Sequence, residues 1–223
     1  MHGLMRGERA KPSNLLYRLT CLTKSDKMGY SLRCIMDGLI LAGGKSTRMG
    51  GKHKGFLQME EETFMDRLTR EMKPQADRLW ISYGRDIHAN YEECRVVVDE
   101  YPGCGPIAGI HAGLCACESE LLMVAACDMP FLKSELYVLL EKHIADHDGA
   151  VTLCKGRIHP LAAIYRKRIL TVLEEQLESG NYRLRDALAK MDIVYVDVSG
   201  KPEYEQMIRN INTIEEYRKI RIR

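Results

Sequence analysis

No stretch of this 223-residue chain approaches the roughly 20 consecutive apolar residues that span a bilayer. A signal-peptide core is missing too: the best early apolar stretch, Leu15 to Leu22, is broken by Arg18. The eight cysteines (Cys21, Cys34, Cys94, Cys104, Cys115, Cys117, Cys127, Cys154) form no C-x-x-C pair, so zinc-ribbon spacing is excluded. Charge of neither sign dominates. Lys plus Arg is 33 and Asp plus Glu is 31, for a net charge of +2, and that balance alone implies no nucleic-acid partner. With 45% hydrophobic and 29% charged residues the chain is neither a membrane protein nor a disordered polyelectrolyte. Internal repeats and low-complexity tracts are absent.

What charge there is lies unevenly. Residues 1–35 carry seven basic and two acidic groups, while the rest of the chain is slightly acidic. Residues 1–35 are therefore expected to be a basic N-terminal extension: a disordered tail, a weak targeting segment, or the product of an upstream start codon ahead of Met28 or Met36. The start-codon reading is favoured, because the first strand begins at Met36. Cys94, Cys115, Cys127 and Cys154 lie in apolar segments, where a free thiol acts as a small hydrophobe. A reducing, cytoplasmic setting is the simpler expectation. Cys115 and Cys117 are the one redox candidate, but on a helix their side chains point apart.

From Met36 strands and helices alternate. Ile35 to Ala42 reads as a buried strand stopped by Gly43-Gly44. Thr63 to Lys73 has helical spacing at Phe64, Leu68 and Met72, with Pro74 as its stop. Leu79–Tyr83 and Cys94–Val98 read as strands. Pro106–Cys117 reads as a helix with proline in its first turn. Leu121–Cys127 is a strand ending at Asp128-Met129-Pro130, and Ser134–Ala145 is an amphipathic helix. Strands follow at Ala150–Cys154, Leu161–Tyr165 and Ile193–Val198, with helices at Ile169–Leu177 and Arg183–Lys190 between them. Thr213 opens a terminal helix with Glu216 three residues on, a capping box. This order predicts an α/β domain over 36–223 with a mostly parallel sheet, its early strands buried on both faces. Ligands of such sheets sit beyond the carboxyl ends of the strands, which puts Gly43, Gly44, Ser82, Asp99 and Asp128 on one rim.

The segment Leu41 to Lys54 (LAGGKSTRMGGKHK) is the most informative. Its glycines leave backbone N–H groups uncovered for an anion, and Arg48 with three lysines adds positive charge. Polyphosphate is the ligand this composition suits. It is not a Walker A loop, since the position that needs glycine is Leu39, and no G-x-G-x-x-G occurs. Asp128 follows a buried strand and precedes Pro130, which keeps the chain extended. For Asp99 a plain turn-former remains the alternative. One or two rim carboxylates suffice to hold Mg²⁺ on a triphosphate.

These residues resemble the molybdenum cofactor guanylyltransferase family. LAGGKSTRMGGKHK resembles its first signature. VVVDEYPGCGPIAG (Val96 to Gly109), AACDMPF (Ala125 to Phe131), RIHPLAAIY (Arg157 to Tyr165) and NINTIEE (Asn210 to Glu216) match later segments in order, with Ile214 where the family has proline. The resemblance covers 36–223 and none of 1–35. It implies a three-layer nucleotidyltransferase-type (Rossmann-like) fold. It also implies transfer of GMP from GTP to molybdenum-molybdopterin, with release of pyrophosphate. Leu41, Ala42, Gly43 and Gly44 would line the nucleotide, with Ser82 and Asp99 beside it. Arg48 and Lys54 would hold phosphates, and Asp128 would bind Mg²⁺. Gly105, Gly109, Asn210 and Asn212 would shape the pterin side. Molybdenum-insertion proteins and molybdoenzymes are the implied partners. The attacking phosphate is already anionic, so alignment and charge neutralisation can carry the reaction, and His53, His111 and His159 are assigned no role. One departure is that the family commonly has Asn where Ser82 stands, which leaves base recognition there open. Two rival readings remain: a cytidylyltransferase acting on this cofactor or another phosphorylated small molecule, whose relatives tend to have Ala-Ala-Gly at 42–44, and a non-catalytic nucleotide- or molybdopterin-binding protein.

Overall fold

The computed structural model describes residues 35–43, 54–84, 91 and 93–221. The expected basic extension, apart from Ile35, and loop residues 44–53, which include Gly44 and Arg48, lie outside the described residues.

Nine strands are described. β1 (Met36–Leu41), β4 (Leu79–Ser82), β5 (Arg95–Val97), β6 (Leu121–Ala126), β7 (Gly149–Cys154), β8 (Arg157–Arg166) and β9 (Ile193–Asp197) form one sheet in the order β5-β4-β1-β6-β8-β7-β9. The short strands β2 (Gln58–Met59) and β3 (Glu62–Thr63) pair as a separate hairpin. β1, β4, β5 and β6 run parallel, as do β7 and β9, whereas β8 runs antiparallel to both β6 and β7. The mostly parallel sheet read from the sequence is present, with one reversed strand near its middle.

Every residue of β1, β4 and β6 is buried, because helices cover both faces. On one face lie α2 (Pro106–Ala116), α4 (Leu170–Glu178) and α5 (Leu184–Leu188), sharing a core with Leu39, Leu41, Val124 and Tyr165. α2 is buried from Ile107 to Leu114, which accounts for its nearly unbroken apolar sequence. α1 (Phe64–Met72) and α3 (Ser134–Ile144) contribute nothing to that core. Met72 of α1 faces Gly38 of β1, while Tyr137 of α3 donates its hydroxyl to Val124 O at 2.9 Å. Side chains such as Leu39, Ile40, Leu122 and Val124 are fully buried, each contributing roughly 1.5–3 kcal/mol. No helix among the described residues is long and apolar enough to cross a membrane.

Local chemistry explains most boundaries. Thr63 caps α1: its Oγ1 accepts from Asp66 N at 3.1 Å, and Asp66 Oδ2 accepts from Thr63 N at 3.0 Å. Pro74 does not stop this segment at once; it sits in a 3-10 turn, Lys73–Gln75, where its fixed φ is tolerated. The expected box at Thr213 opens α7 (Ile214–Arg221), with Glu216 N donating to Thr213 Oγ1. α6 (Pro202–Met207) and the β2–β3 hairpin have no counterpart in the sequence reading. The run beginning at Ile35 also hides a buried acid, Asp37. Pro160 falls inside β8, where the register with β7 shifts between Val151 and Thr152 and a proline can sit without breaking a ladder. The cysteine reading needs one correction: Cys115, on α2, is exposed, and Cys117, just past the helix end with an extended backbone, is the buried one. All six described cysteines are free thiols.

Candidate active site

The carboxyl ends of β1, β4, β5 and β6 are joined directly. Ala42 N donates to Ser82 O at 2.8 Å, and Cys127 N donates to Leu41 O at 2.9 Å. Residues 41–43 therefore leave the sheet between the ends of β4 and β6. Leu41 and Ala42 are buried, so their side chains belong to the core and only their backbone is left to meet anything bound at the rim. Gly43 is exposed. A β-carbon on it would lie 3.0 Å from Tyr83 O and 3.2 Å from Gly84 N, so glycine is what lets the two loops touch through their backbones. Gly84, at φ +78°, makes the matching turn after β4. Tyr83 and Gly84 were not singled out from the sequence. A Tyr-Gly pair directly after a buried strand, on the same rim, is the signal that marks them.

Asp99 lies two residues beyond β5 and is only 8% exposed. Ser82 Oγ donates to its Oδ1 at 2.6 Å. Burial raises the pKa of Asp99, while the Ser82 hydroxyl and the nearby His111 pull it back down. Its Oδ2 lies 4.0 Å from where a Gly84 β-carbon would be, and that position is 3.9 Å from Gly43 Cα. Ser82, Asp99, Gly84 and Gly43 thus form one continuous wall. Tyr83 extends it inward; burial first, then Tyr91, Cys94 and Cys127, push its phenol up to about 12.

Asp128 is half-buried in the turn after β6, which Met129 N closes by donating to Ala126 O at 3.1 Å. Its carbonyl accepts from Ile211 N at 2.8 Å, which brings Asn210 and Asn212 to the Asp128 side. Asn212 N and Thr213 N both donate to Glu216 Oε2, so the α7 cap also fixes the NIN segment. Lys54 opens a 3-10 turn, Lys54–Phe56; its side chain is outside the described residues. Three residues on, Leu57 shares a hydrophobic cluster with Ile211, Tyr217 and Phe131. The chain that carries Lys54 therefore returns to the Asp128 side.

The two glycines assigned to the pterin side differ. Gly105, at φ +78° with open space around it, precedes Pro106 at the start of α2. Gly109 faces the sheet: a β-carbon there would lie 2.5 Å from Leu41 Cδ2 and 2.9 Å from Ser82 Oγ. Its place is under the rim, where it gives α2 room to approach.

No group of three or more His, Cys, Asp or Glu among the described residues could by itself hold a metal ion. Asp128 supplies a hard carboxylate, with no ready-made cage beside it among the described residues. That donor set suits an ion such as Mg²⁺, which keeps phosphate oxygens and waters as most of its ligands.

A model of the MobA-like NTP transferase domain matches residues 38–194. A probable molybdenum cofactor guanylyltransferase of Carboxydothermus hydrogenoformans is 33% identical over 184 residues, covering 81% of this chain and 92% of its own. One of Methanosarcina mazei is 33% identical over 201 residues, covering 82% and 89%. The crystal structure of molybdopterin-guanine dinucleotide biosynthesis protein A from Archaeoglobus fulgidus superposes with a TM-score of 0.70 at 26% identity, covering 84% of this chain and 97% of that one. With the rim geometry and these matches over most of its length, the chain belongs to the MobA-like NTP transferase family of nucleotidyltransferases.

Proposed function

We propose that this protein transfers GMP from GTP to molybdenum-molybdopterin. The terminal phosphate of the pterin attacks the α-phosphorus of GTP. A new P–O bond forms, the bond from the α-phosphorus to the bridging oxygen breaks, and pyrophosphate leaves with the electron pair. The observation that supports this reading is the bonding of the β1 strand end, at Leu41 and Ala42, to both Ser82 and Cys127, with Asp99 following β5 on one side and Asp128 following β6 on the other. Relatives named as guanylyltransferases, 33% identical over most of the chain, support it.

In this reading the backbone of Leu41, Ala42, Gly43 and Gly44 lines the nucleotide, and Asp99 faces it from the β5 side. Arg48 and Lys54 neutralise the charge that builds on the departing pyrophosphate. Asp128 would hold Mg²⁺, which when bound polarises the triphosphate. Gly105, Asn210 and Asn212 border the space left for the pterin. The attacking phosphate is anionic at neutral pH, so the protein's contribution is alignment of the two anions and relief of their repulsion.

The test is incubation with GTP, Mg²⁺ and molybdenum-loaded molybdopterin, followed by product mass and pyrophosphate release. A product heavier by a GMP unit is expected, with CTP a poor donor. Turnover of CTP in preference to GTP would identify a cytidylyltransferase. Nucleotide binding with no pyrophosphate would identify a non-catalytic carrier.

A further inference from the structure

Ser82 has a single hydroxyl proton, and it goes to Asp99 Oδ1. Both side chains are buried, at 2% and 8% exposure. Against the hydroxyl stands Gly109 of α2, where a β-carbon would come within 2.9 Å of Oγ. Real β-carbons do not approach that closely, so any larger residue at 109 must displace the hydroxyl or back the helix away. On the far side of Asp99, Oδ2 lies toward Gly84 and the start of the glycine loop.

We propose that Ser82 is a positioning residue: enclosed between Gly109 and Asp99, its hydroxyl fixes the Asp99 carboxylate toward the nucleotide and does not itself touch the base. The inference deepens the GMP-transfer reading and rests on it. A buried carboxylate keeps its charge only if donors replace the water it lost. Among the described residues two groups favour the ionised form of Asp99, the Ser82 hydroxyl and His111 on the same helix as Gly109. His111 is itself buried, with its ring edge-on to Tyr101 at 5.2 Å and Nε2 3.6 Å from Glu174 on α4 and 3.7 Å from Cys115 Sγ. Without the hydroxyl, Asp99 takes up a proton more readily and loses its fixed orientation.

S82A, S82T, D99A and the S82A/D99A double variant separate a positioning role from direct contact. S82A is expected to lower kcat/KM for GTP about 10-fold and to move the acid limb of its pH profile upward, with S82T restoring both. In the D99A background S82A should change kcat/KM less than about 2-fold, because the carboxylate it positions is gone. An equal loss from S82A with and without Asp99 would overturn the proposal, as would an S82A enzyme of normal rate and unshifted pH profile. Carbon-13 NMR titration of the Asp99 carboxyl needs no turnover, and it should show a higher midpoint in S82A than in the wild type. An unchanged midpoint overturns the proposal even if transfer is active. A raised midpoint in a protein that transfers no GMP leaves the Ser82 role standing and removes the enzymatic reading. If S82A does not fold, S82C, of similar volume but a weak donor, takes its place under the same criteria.

Discussion

Asp37 and Asp99 are both buried acids, set at opposite ends of the parallel strands. Asp37 receives Trp80 Nε1 and Glu118 N at 3.1 Å and Ser119 Oγ at 3.0 Å. Those three donors pin the start of β1 to β4 and to the loop before β6. D37A strands all of them, and a loss of about 2–4 kcal/mol is expected from urea unfolding. Asp99 behaves in the opposite way. Its pKa is raised on folding, so the native state binds more proton than the unfolded chain between the usual carboxylate pKa and the raised one. Stability then falls as pH rises through that window, and the ionised side chain is a burden at pH 7. D99N, which can still accept from Ser82, should melt higher than the wild type at pH 7 in calorimetry while transferring GMP more slowly. D128A removes the carboxylate that would hold Mg²⁺ and should cost about 10²-fold or more in transfer, read as the rate of pyrophosphate release.

Helix starts were the most legible elements, because their determinants are local, whereas Pro74 did not mark where the first helical segment ends. Thr63 with Asp66 and Thr213 with Glu216 are spaced so that each side chain meets the other's backbone N–H. T63A is expected to cost about 1 kcal/mol in urea unfolding, the usual worth of an N-cap. The rim was legible for a similar reason: an apolar run that ends at Gly43, Asp99 or Asp128 announces a strand end, and strand ends of parallel neighbours meet. What the sequence could not show was which strands are neighbours. β6 pairs antiparallel with β8, some forty residues away in the chain, and local periodicity carries no information about such a partner. The turn that permits the reversal was visible in principle. Lys155 and Gly156 both take positive φ, the geometry of a two-residue hairpin turn, and Cys154 pairs with Arg157 across it. Cys115 was misjudged because α2 is apolar on nearly every side, so composition does not say which cysteine faces out. Gly109 presented the same difficulty. A glycine in a helix and a glycine in a binding loop read alike until the helix's distance from the sheet is known.

At the scale of the molecule, the sheet is most protected where helices cover both faces and strands flank both edges. β1 lies between β4 and β6, and β6 between β1 and β8, whereas β5 and β9 are the edges. Native-state hydrogen exchange should find the slowest amides in β1 and β6 and the fastest strand amides in β5 and β9. The rim itself draws on distant parts of the chain. Strands β1, β4, β5 and β6 supply most of it, but the bond to the Asp128 carbonyl comes from Ile211. Tyr217 then locks that segment, donating its hydroxyl to Gln58 O at 2.8 Å and meeting Phe64 edge-on at 6.0 Å. During synthesis, a nascent chain displaying every strand of the rim still lacks this clasp while Ile211 and Tyr217 remain inside the ribosome. A partly made polypeptide therefore carries the ends of β1, β4, β5 and β6 without the bond that holds the turn at Asp128, so the rim is completed only after the last helix has emerged.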